Sequence, residues 1–270
     1  MKNQDKNTVD GFGDEWSRFD QSDLPTAEQQ LLFDEYFSVF PWKNISKESI
    51  GFDLGCGTGR WARSVAPKVK KLICIDPSSA LEIAKKNLSN FDNCEFDSAT
   101  VDEMPMQDNS MDFGYSLGVL HHVPDTALGI KQCVKKLKTG APLLLYLYYR
   151  FDNRPWWFRL IWSVSDLLRR IVSKMPYKLR YFSSQIISII VYFPLARFAL
   201  FLEKLNFNVS NFPLSSYKNL SFYTMRTDAL DRFGTRLEQR FTRKEIKNMM
   251  QNAGLENIEF SNSKPFWVAV

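Results

Sequence analysis

One segment limits the fold of this 270-residue chain more than any other: the glycine loop DLGCGTG at residues 53–59. It follows the apolar run Ile50–Leu54 and precedes a helical stretch that Pro67 ends. Glycines at alternate positions allow a tight turn and leave no side chain between the backbone and a ligand. The N–H groups at the start of the next helix can then face an anionic or polar group. The loop therefore predicts a strand–loop–helix unit that binds a ligand, the alternative being a turn that is merely rich in glycine.

Short apolar runs alternate with helix-period segments through residues 45–149, which is typical of an α/β fold with a mainly parallel sheet. After Ile50–Leu54, the strand candidates are Leu72–Ile75, Cys94–Asp97, Met111–Leu117 and Pro142–Tyr148. The alternation stops at residue 150 and resumes at about residue 241, where Leu255–Phe260 and Pro265–Val270 are the last strand candidates. We expect a Rossmann-like sheet that is mostly parallel and has an antiparallel last strand.

Two helix starts carry the S/T-x-x-E pattern of a capping box, in which the first side chain and the glutamate each bond a backbone N–H group. They are Ser79 with Glu82 and Thr242 with Glu245. We therefore expect helices to begin just after Ser79 and Thr242.

An acidic residue follows the second strand at the spacing that a nucleoside ligand requires. Asp76 lies 21 residues after Gly55, at the end of Leu72–Ile75, where a carboxylate can accept both hydroxyls of a ribose. The dinucleotide fingerprint G-x-G-x-x-G would place its third glycine at Arg60, which argues against an NAD-dependent enzyme.

Three segments resemble the class I S-adenosylmethionine-dependent methyltransferases, in particular the branch that includes the ubiquinone/menaquinone-biosynthesis enzymes. They are DLGCGTG at 53–59, CIDPS at 74–78 and EMPMQDNSMDFGYSLGVLHHVPD at 103–125. The resemblance covers residues 45–149 and, more loosely, residues 241–270. It is specific for the fold and the cofactor but says nothing about the substrate.

The resemblance implies S-adenosylmethionine as the cofactor and gives several residues a role in binding it. The glycine loop, with Asp53, Gly55, Gly57 and Gly59, would approach the methionine portion. Asp76 would hold the ribose, Pro77 would pack on the adenine, and Leu117 would lie beneath the sulfonium. Many relatives carry an adenine-contacting aspartate where this chain has Thr100, so we expect the Thr100 hydroxyl and the Val101 N–H group to contact the adenine, with Asp102 as a substitute.

The two histidines of the chain, His121 and His122, directly follow the fourth strand. A histidine there can take the proton of an attacking hydroxyl, because its pKa lies near the working pH. The alternative is that both histidines only hydrogen-bond the loop. Two adjacent histidines without a third ligand are poor metal geometry, and we predict no metal.

Residues 150–210 differ in composition from the rest, with ten basic and three acidic residues and many aromatic ones. One apolar stripe at helical spacing includes Trp157, Leu160, Ile161, Val164, Leu168 and Ile171. A second apolar stretch, Ile186–Leu202, is interrupted by Pro194 and Arg197. Such helices either cap the active site or a homodimer partner, which we favour, or lie on a membrane surface. A nucleic-acid partner is disfavoured, because no reading module is recognisable and the net charge is only +5.

We therefore divide the chain into three parts: an N-terminal helical lid at 1–44, a methyltransferase core at 45–149 and 241–270, and a basic aromatic helical insertion at 150–240. The aromatic residues of the first part, such as Trp16, Phe33 and Phe37, either close over the cofactor or cover the sheet. Near the end of the insertion, Tyr223, Arg226 and Asp228 are candidate substrate-binding residues. The alternative for them is an ion-paired connector.

The expected activity is methyl transfer to an oxygen or nitrogen of a small or lipid-linked metabolite, with a glycan, glycolipid or quinone-type acceptor as an extension. Two alternatives stay open: a non-catalytic cofactor-binding scaffold at a membrane, and an NAD-dependent Rossmann enzyme. The N-terminal residues include no apolar leader, and the four cysteines are widely spaced. No purely apolar run approaches the ~18–20 residues that span a bilayer. We expect a cytoplasmic protein. If it associates with a membrane, we expect a peripheral association with the inner face of that membrane.

Overall fold

A five-stranded parallel sheet in the order β3-β2-β1-β4-β5 organises residues 3–270, which the computed structural model describes. The strands are β1 (Ile50–Leu54), β2 (Lys71–Ile75), β3 (Cys94–Asp97), β4 (Phe113–Leu117) and β5 (Leu143–Tyr146). Asp53 of β1 is paired with Cys74 on one side and Tyr115 on the other. The strand order reverses beside β1, and ligands bind at the carboxyl ends of the strands at such a point. The predicted α/β fold is thereby confirmed.

Ten α-helices are described around and beyond this sheet. They are α1 (Lys6–Arg18), α2 (Thr26–Tyr36), α3 (Ala62–Val65), α4 (Ala80–Asn87), α5 (Thr126–Lys136), α6 (Trp156–Val172), α7 (Tyr177–Ile187), α8 (Phe193–Lys204), α9 (Phe222–Gly234) and α10 (Arg243–Asn252). A five-residue π-helical segment, Ser188–Tyr192, joins α7 to α8 without a break.

Both faces of the sheet are buried, as a parallel sheet requires. Successive residues of a strand point to opposite faces, so Leu144 packs with Phe37 and Tyr115 on one face while Leu143 and Leu145 pack on the other. Phe33 of α2 and Phe37, which directly follows this helix, belong to the first of these layers. Phe33 and Phe37 therefore cover the sheet, which is one of the two roles expected for the N-terminal aromatic residues.

The expected antiparallel last strand is wrong. Ala269 makes isolated antiparallel bridges to Leu145 and Phe260, and the residues around it form no strand. Between Phe260 and Ala269 the chain turns, with the Ser261 hydroxyl bonded to Ser263, and Pro265 has no N–H group to give to a ladder. Apolar residues at strand spacing were therefore not sufficient to form a strand here.

The two predicted capping boxes have different outcomes. At α10 the prediction is confirmed, because Thr242 and Glu245 bond each other's backbone N–H groups. At α4 it is wrong, because Ser79 makes no side-chain cap. The hydroxyl of Ser78 accepts the Ala80 N–H group instead, at 3.2 Å, while donating to Asp76.

The chain forms two compact units. The first combines the chain up to Gln21 with Gln29–Arg150 and Leu237–Val270, and so contains the sheet. The second combines Ser22–Glu28 with Phe151–Arg236, and so contains α6 to α9.

One continuous helix of the second unit, Tyr177–Lys204, is by length and composition apolar enough to cross a membrane. Its most apolar window has a mean hydropathy of 1.9 and is only 22% buried. Pro194 and Arg197, which we expect from the sequence to interrupt this stretch, both lie within the helix. Pro194 lies just after the π-helical segment and does not end the continuous helix, and the Arg197 guanidinium donates to the carbonyls of Lys218 and Leu220.

Candidate functional site

The glycine loop turns tightly at the carboxyl end of β1. Gly55, Gly57 and Gly59 have φ values of +75°, +53° and +80°, a region that L side chains rarely adopt. The Gly55 N–H group donates to the Ile75 carbonyl at 2.7 Å, which ties the loop to the end of β2. A Cβ at Gly55 would lie 2.3 Å from a methyl carbon of Val119. Glycine is therefore required here by both backbone conformation and space.

Asp76 lies at the end of β2 with its carboxylate against the loop. One oxygen accepts the Gly57 N–H group at 2.9 Å, and the other accepts the N–H and O–H groups of Ser78 at 2.8 and 2.6 Å. Burial raises the pKa of Asp76 above its usual range, and the Ser78 and Gly57 donors partly offset that effect. The predicted ribose-binding carboxylate is thus held in place by the loop that would face the rest of the ligand.

A second buried carboxylate, Asp53, lies at the end of β1. Burial raises its pKa well above the usual range, the Tyr115 hydroxyl opposes that shift, and the charge of Asp76 adds to it. None of the ion pairs described for residues 3–270 includes Asp53 or Asp76. Two buried carboxylates that no described cation neutralises favour a positively charged ligand.

Helix α1 lies directly against the glycine loop. The indole nitrogen of Trp16 is 3.4 Å from the position of a Cβ on Gly57, and a Cβ on Gly13 would be 2.6 Å from the Ser79 hydroxyl. The ring of Phe12 lies 5.0 Å from that of His122. Helix α1 thus contacts the loop, the start of α4 and the histidine pair.

The adenine-side candidates follow β3, which ends beside β2, since the Asp76 N–H group donates to the Asp97 carbonyl. Thr100 is buried, and its hydroxyl donates to Glu103 at 3.3 Å. Val101 is buried too, and the Asp102 carboxylate accepts the Asn3 N–H group at 2.6 Å. The adenine contacts of Thr100 and Val101 remain predictions.

The two histidines differ in their hydrogen bonds. The Tyr148 N–H group donates to Nδ1 of His121 at 3.4 Å, so this nitrogen holds the lone pair. Nδ1 of His122 lies 2.7 Å from the Leu237 carbonyl oxygen, which can only accept, so Nδ1 of His122 carries the proton. Burial, followed by His122 and Arg240, lowers the pKa of His121 well below its usual value. The neutral tautomers therefore differ: His122 has its lone pair on Nε2, and His121 has its lone pair on Nδ1, where it accepts the Tyr148 N–H group.

An aromatic cluster that sequence reasoning missed lies at the end of β5. Tyr146 is paired in register with Leu117, the residue predicted to lie beneath the sulfonium. The Tyr146 ring lies 5.0 Å from that of Tyr36 and 5.9 Å from that of Tyr148, which stacks on His121 at 3.8 Å. The available signal was the position of these tyrosines, directly after the apolar run of β5. Aromatic rings therefore lie beside the position predicted for the sulfonium.

The candidate substrate residues Tyr223, Arg226 and Asp228 lie on α9, in the second unit. The Arg226 guanidinium donates to the Gln185 side chain at 2.5 Å and to the Tyr181 hydroxyl at 3.0 Å. These bonds join α9 to α7, as a connector would. Substrate binding by these three residues remains a prediction.

Comparison with known proteins agrees with this geometry. Residues 52–145 match the family model described as a methyltransferase domain. A demethylmenaquinone methyltransferase from Staphylococcus aureus is 30% identical over 102 residues, which is 36% of this chain and 42% of that protein. A tRNA U34 carboxymethyltransferase from Nautilia profundicola is 25% identical over 130 residues, which is 47% of this chain and 43% of that protein. The chain thus spans less than half the length of these curated relatives.

Among solved structures, a putative methyltransferase from Bacillus halodurans C-125 has the same fold. It superposes with a TM-score of 0.51 at 15% sequence identity, covering 85% of this chain and 71% of that one. At this identity the likeness concerns the fold alone.

Proposed function

From the premise that residues 52–145 belong to the class I S-adenosylmethionine-dependent methyltransferases, we propose that this chain transfers a methyl group to an oxygen or nitrogen of a small or lipid-linked acceptor. The cofactor predicted from the sequence is confirmed as S-adenosylmethionine. The activity and the acceptor are our proposal. The observation that carries the activity is the pair of buried carboxylates, Asp53 and Asp76, on either side of a glycine loop.

The residues of the site fit this cofactor. Asp76 is a buried acceptor whose bonds to Gly57 and Ser78 fix its direction, as a ribose-binding carboxylate requires. Gly57 leaves the loop backbone uncovered by any side chain of its own. S-adenosylmethionine supplies a methyl group activated by a positive sulfur, and that charge matches two carboxylates that lack a described cationic partner.

Orientation of the acceptor is assigned to the aromatic cluster of Tyr36, Tyr146 and Tyr148. Tyr146 lies beside Leu117 in the sheet, so an acceptor that packs on these rings lies next to the position predicted for the methyl group. In-line transfer needs the reacting atoms ~3–3.5 Å apart with water excluded, and aromatic walls serve both needs. A flat acceptor such as a quinone-type ring suits these walls, and a glycan or glycolipid is the wider extension.

His122 is assigned as the base for a hydroxyl acceptor. Its Nδ1–H group donates to Leu237, so the neutral ring offers Nε2 as the acceptor of the proton that the attacking oxygen loses. His121 is less suited, because its lone pair accepts the Tyr148 N–H group and its pKa is lowered. A neutral amine acceptor needs little help from a base, so loss of His122 should slow transfer to a hydroxyl more than transfer to a neutral amine.

Calorimetric titration with S-adenosylmethionine and, separately, with NAD tests the cofactor site. We expect binding of the former alone and a weakening of about 10- to 100-fold in Asp76→Asn, because hydrogen bonds to a charged group contribute about 1.5–3 kcal/mol. Ser78→Ala is the matched control, since it removes one donor to Asp76 but keeps the carboxylate. Binding of NAD, or equal binding by wild type and Asp76→Asn, would contradict the proposal.

Release of S-adenosylhomocysteine in the presence of small-molecule and lipid fractions of a cell extract tests turnover. A rate that depends on the fraction supports the enzyme, and a fall of about 10²-fold or more in His122→Gln identifies an oxygen nucleophile. Cofactor binding without release in any fraction would favour the non-catalytic scaffold.

A further inference from the structure

Helix α6 buries an ion pair on its inner side and turns its apolar residues outward. Asp166 and Arg169 are each 6% exposed, whereas Val164 and Leu167 are 66% and 64% exposed. The buried carboxylate and guanidinium bond each other at 2.6 Å, and Arg169 also donates to the Thr235 carbonyl at 3.0 Å. A helix on the surface of a water-soluble domain shows the opposite arrangement, with the apolar stripe facing the protein core.

The continuous helix Tyr177–Lys204 repeats this inversion. Its buried positions include Arg180, Ser184 and Ser188, while Phe182 and Ile190 are 62% and 64% exposed. Serine at four-residue spacing lets helices approach closely, which is the packing that helices use in an apolar solvent. Both helices are therefore built as if their outward solvent were apolar.

The exposed apolar residues are concentrated in one stretch of the second unit. Of the 22 large apolar side chains described as exposed within residues 3–270, twenty lie between Trp156 and Phe207. Contiguous exposed apolar patches on soluble monomers rarely exceed a few hundred Å², and larger ones mark an interaction site. We call this region, the outward faces of α6 and of Tyr177–Lys204, the apolar face.

Basic side chains lie at the ends of the helices that form the apolar face. Arg159 lies in the first turn of α6, Lys174 and Lys178 lie around the turn between α6 and α7, and Lys204 ends α8; all four are exposed. Residues 150–210 carry a net charge of +7, although the whole chain carries only +5. Long basic side chains at the border of an apolar helix face reach anionic headgroups while the face contacts acyl chains.

A second copy of the chain would suit this surface less well. A two-fold contact uses the same patch on both copies, so it would bring two sets of the same cations together without described acidic partners. An anionic membrane supplies the complementary charge together with the apolar solvent. The charge therefore favours lipid over a second copy.

We propose that the apolar face is a membrane-docking surface that inserts into the acyl boundary of an anionic bilayer. The inner sides of both helices stay on the protein, because Arg180 donates to the Gly234 carbonyl at 2.9 Å and Arg226 bonds Gln185. Only the outward sides are therefore available to lipid, and the helices lie in the interface plane. The inference stands on the second unit and does not depend on the methyltransferase reaction.

Flotation of the full chain with lipid vesicles tests the proposal. The vesicles are pure phosphatidylcholine and a 70:30 mixture of phosphatidylcholine with phosphatidylglycerol. We expect binding to the mixture at least tenfold tighter than to phosphatidylcholine alone, and weaker binding at high salt, because added ions screen the headgroup charge. Equal binding to both vesicles, or no binding to either, would overturn the proposal.

A matched pair of double variants locates the surface. Leu167→Glu with Ile190→Glu places two charges on the apolar face, whereas Leu31→Glu with Leu128→Glu makes the same kind of change at exposed leucines outside it. We expect the first pair to weaken vesicle binding at least tenfold and the second to leave it unchanged. Equal losses in both pairs would show that the apolar face is not the docking surface.

Two further measurements separate the alternatives. Sedimentation without lipid reports self-association. If wild type dimerises, the Leu167/Ile190 double variant does not, and wild type binds no vesicles, then the apolar face binds a second copy of the chain and not a membrane. Titration with S-adenosylmethionine reports the first unit: binding retained in the Leu167/Ile190 pair shows that its vesicle defect is local. Vesicle binding by a wild type that fails to bind S-adenosylmethionine would overturn the proposed function and leave the docking surface standing.

Discussion

At the scale of single residues, the candidate site depends on positions where the backbone conformation favours glycine. Gly55 and Gly140 have nearly equal φ values, +75° and +79°, but different surroundings. A Cβ at Gly55 would meet the Val119 side chain, whereas nothing lies within 4 Å of a Cβ at Gly140. Comparing an alanine substitution at the two positions therefore separates the cost of backbone strain from the cost of steric crowding.

We predict that Gly55→Ala destabilises the fold more than Gly140→Ala. The left-handed conformation costs either alanine roughly 1–2 kcal/mol, and crowding against Val119 adds roughly 1–3 kcal/mol at position 55 alone. Denaturant unfolding of both variants measures the difference. Equal losses of unfolding free energy would show that Val119 moves aside at no cost.

Burial of His121 gives a second residue-scale prediction, on pH. Its pKa is lowered in the folded protein, whereas in the unfolded chain it is near 6.5. Below pH 6.5 the unfolded state therefore binds a proton that the folded state does not, and stability falls as the pH falls. We expect His121→Asn, which keeps an acceptor for the Tyr148 N–H group, to lose less unfolding free energy than wild type between pH 7 and pH 5.

The measurement is denaturant unfolding of both proteins across that pH range, and the quantity compared is the slope of the unfolding free energy against pH. The contribution of His121 has an upper limit of about 1.4 kcal/mol per pH unit. The raised pKa values of Asp53 and Asp76 act in the opposite direction, because protonation then favours the folded state. Both carboxylates are present in wild type and variant, so the difference between the slopes isolates His121, and parallel slopes would refute the assignment.

At the scale of elements, α6 is held to its unit by a buried charge cluster. Asp166 contacts Arg169 at 2.6 Å, Arg170 at 2.9 Å and Arg232 at 3.6 Å, and of these cations only Arg170 is well exposed. Removing one partner of a buried ion pair leaves an uncompensated charge, which costs about 3–5 kcal/mol. A surface pair contributes about 0–1 kcal/mol.

We therefore predict a large loss of stability for Asp166→Asn and a small one for Arg170→Gln. Hydrogen exchange of the α6 and α9 amides, with the protein in a mild detergent, measures the opening of this unit directly. Faster exchange in Asp166→Asn alone is the expected result. Similar protection in the two variants would mean that the cluster is open to water.

The same helix shows how far the sequence determines the elements. The spacing of Trp157, Leu160 and Val164 predicts an amphipathic helix, and α6 is one. The spacing cannot say which face is turned outward, because that depends on Arg169 reaching the Thr235 carbonyl, 66 residues further along the chain.

Local patterns predicted the site more completely than they predicted the periphery. The glycine loop at 53–59 and the position of Asp76 beside it follow from consecutive residues and one strand spacing, so the sequence alone predicts that they lie together. The role of Ser78 at the start of α4 does not follow from the S-x-x-E pattern, because it depends on the bond of Ser78 to Asp76. Tyr36 is among the N-terminal aromatic residues that the sequence singles out, but its contact with Tyr146 joins residues 110 positions apart. Contacts between distant residues leave no spacing that a sequence can display.

At the scale of the whole molecule, the two units have separate cores. The sheet is covered by two large buried clusters, whereas the second unit has a small one of Val172, Tyr192, Ala196, Met225, Ala229 and Phe233. A small core gives a modest hydrophobic contribution to stability, because that contribution scales with the apolar area removed from water. The second unit is therefore expected to be the less stable in water.

This difference predicts two thermal transitions that respond to different ligands. The residues predicted to bind S-adenosylmethionine all belong to the first unit, so at 100 times its Kd the cofactor should stabilise that transition by about 2.7 kcal/mol and leave the other in place. Anionic lipid should raise the midpoint temperature of the transition of the second unit, because lipid buries the apolar face that is exposed in water. Calorimetry with each ligand separately measures both shifts, and Asp76→Asn should abolish the first shift while the Leu167/Ile190 pair abolishes the second. A single transition that both ligands move together would mean that the two units unfold as one, so that cofactor and membrane binding stabilise the same cooperative structure.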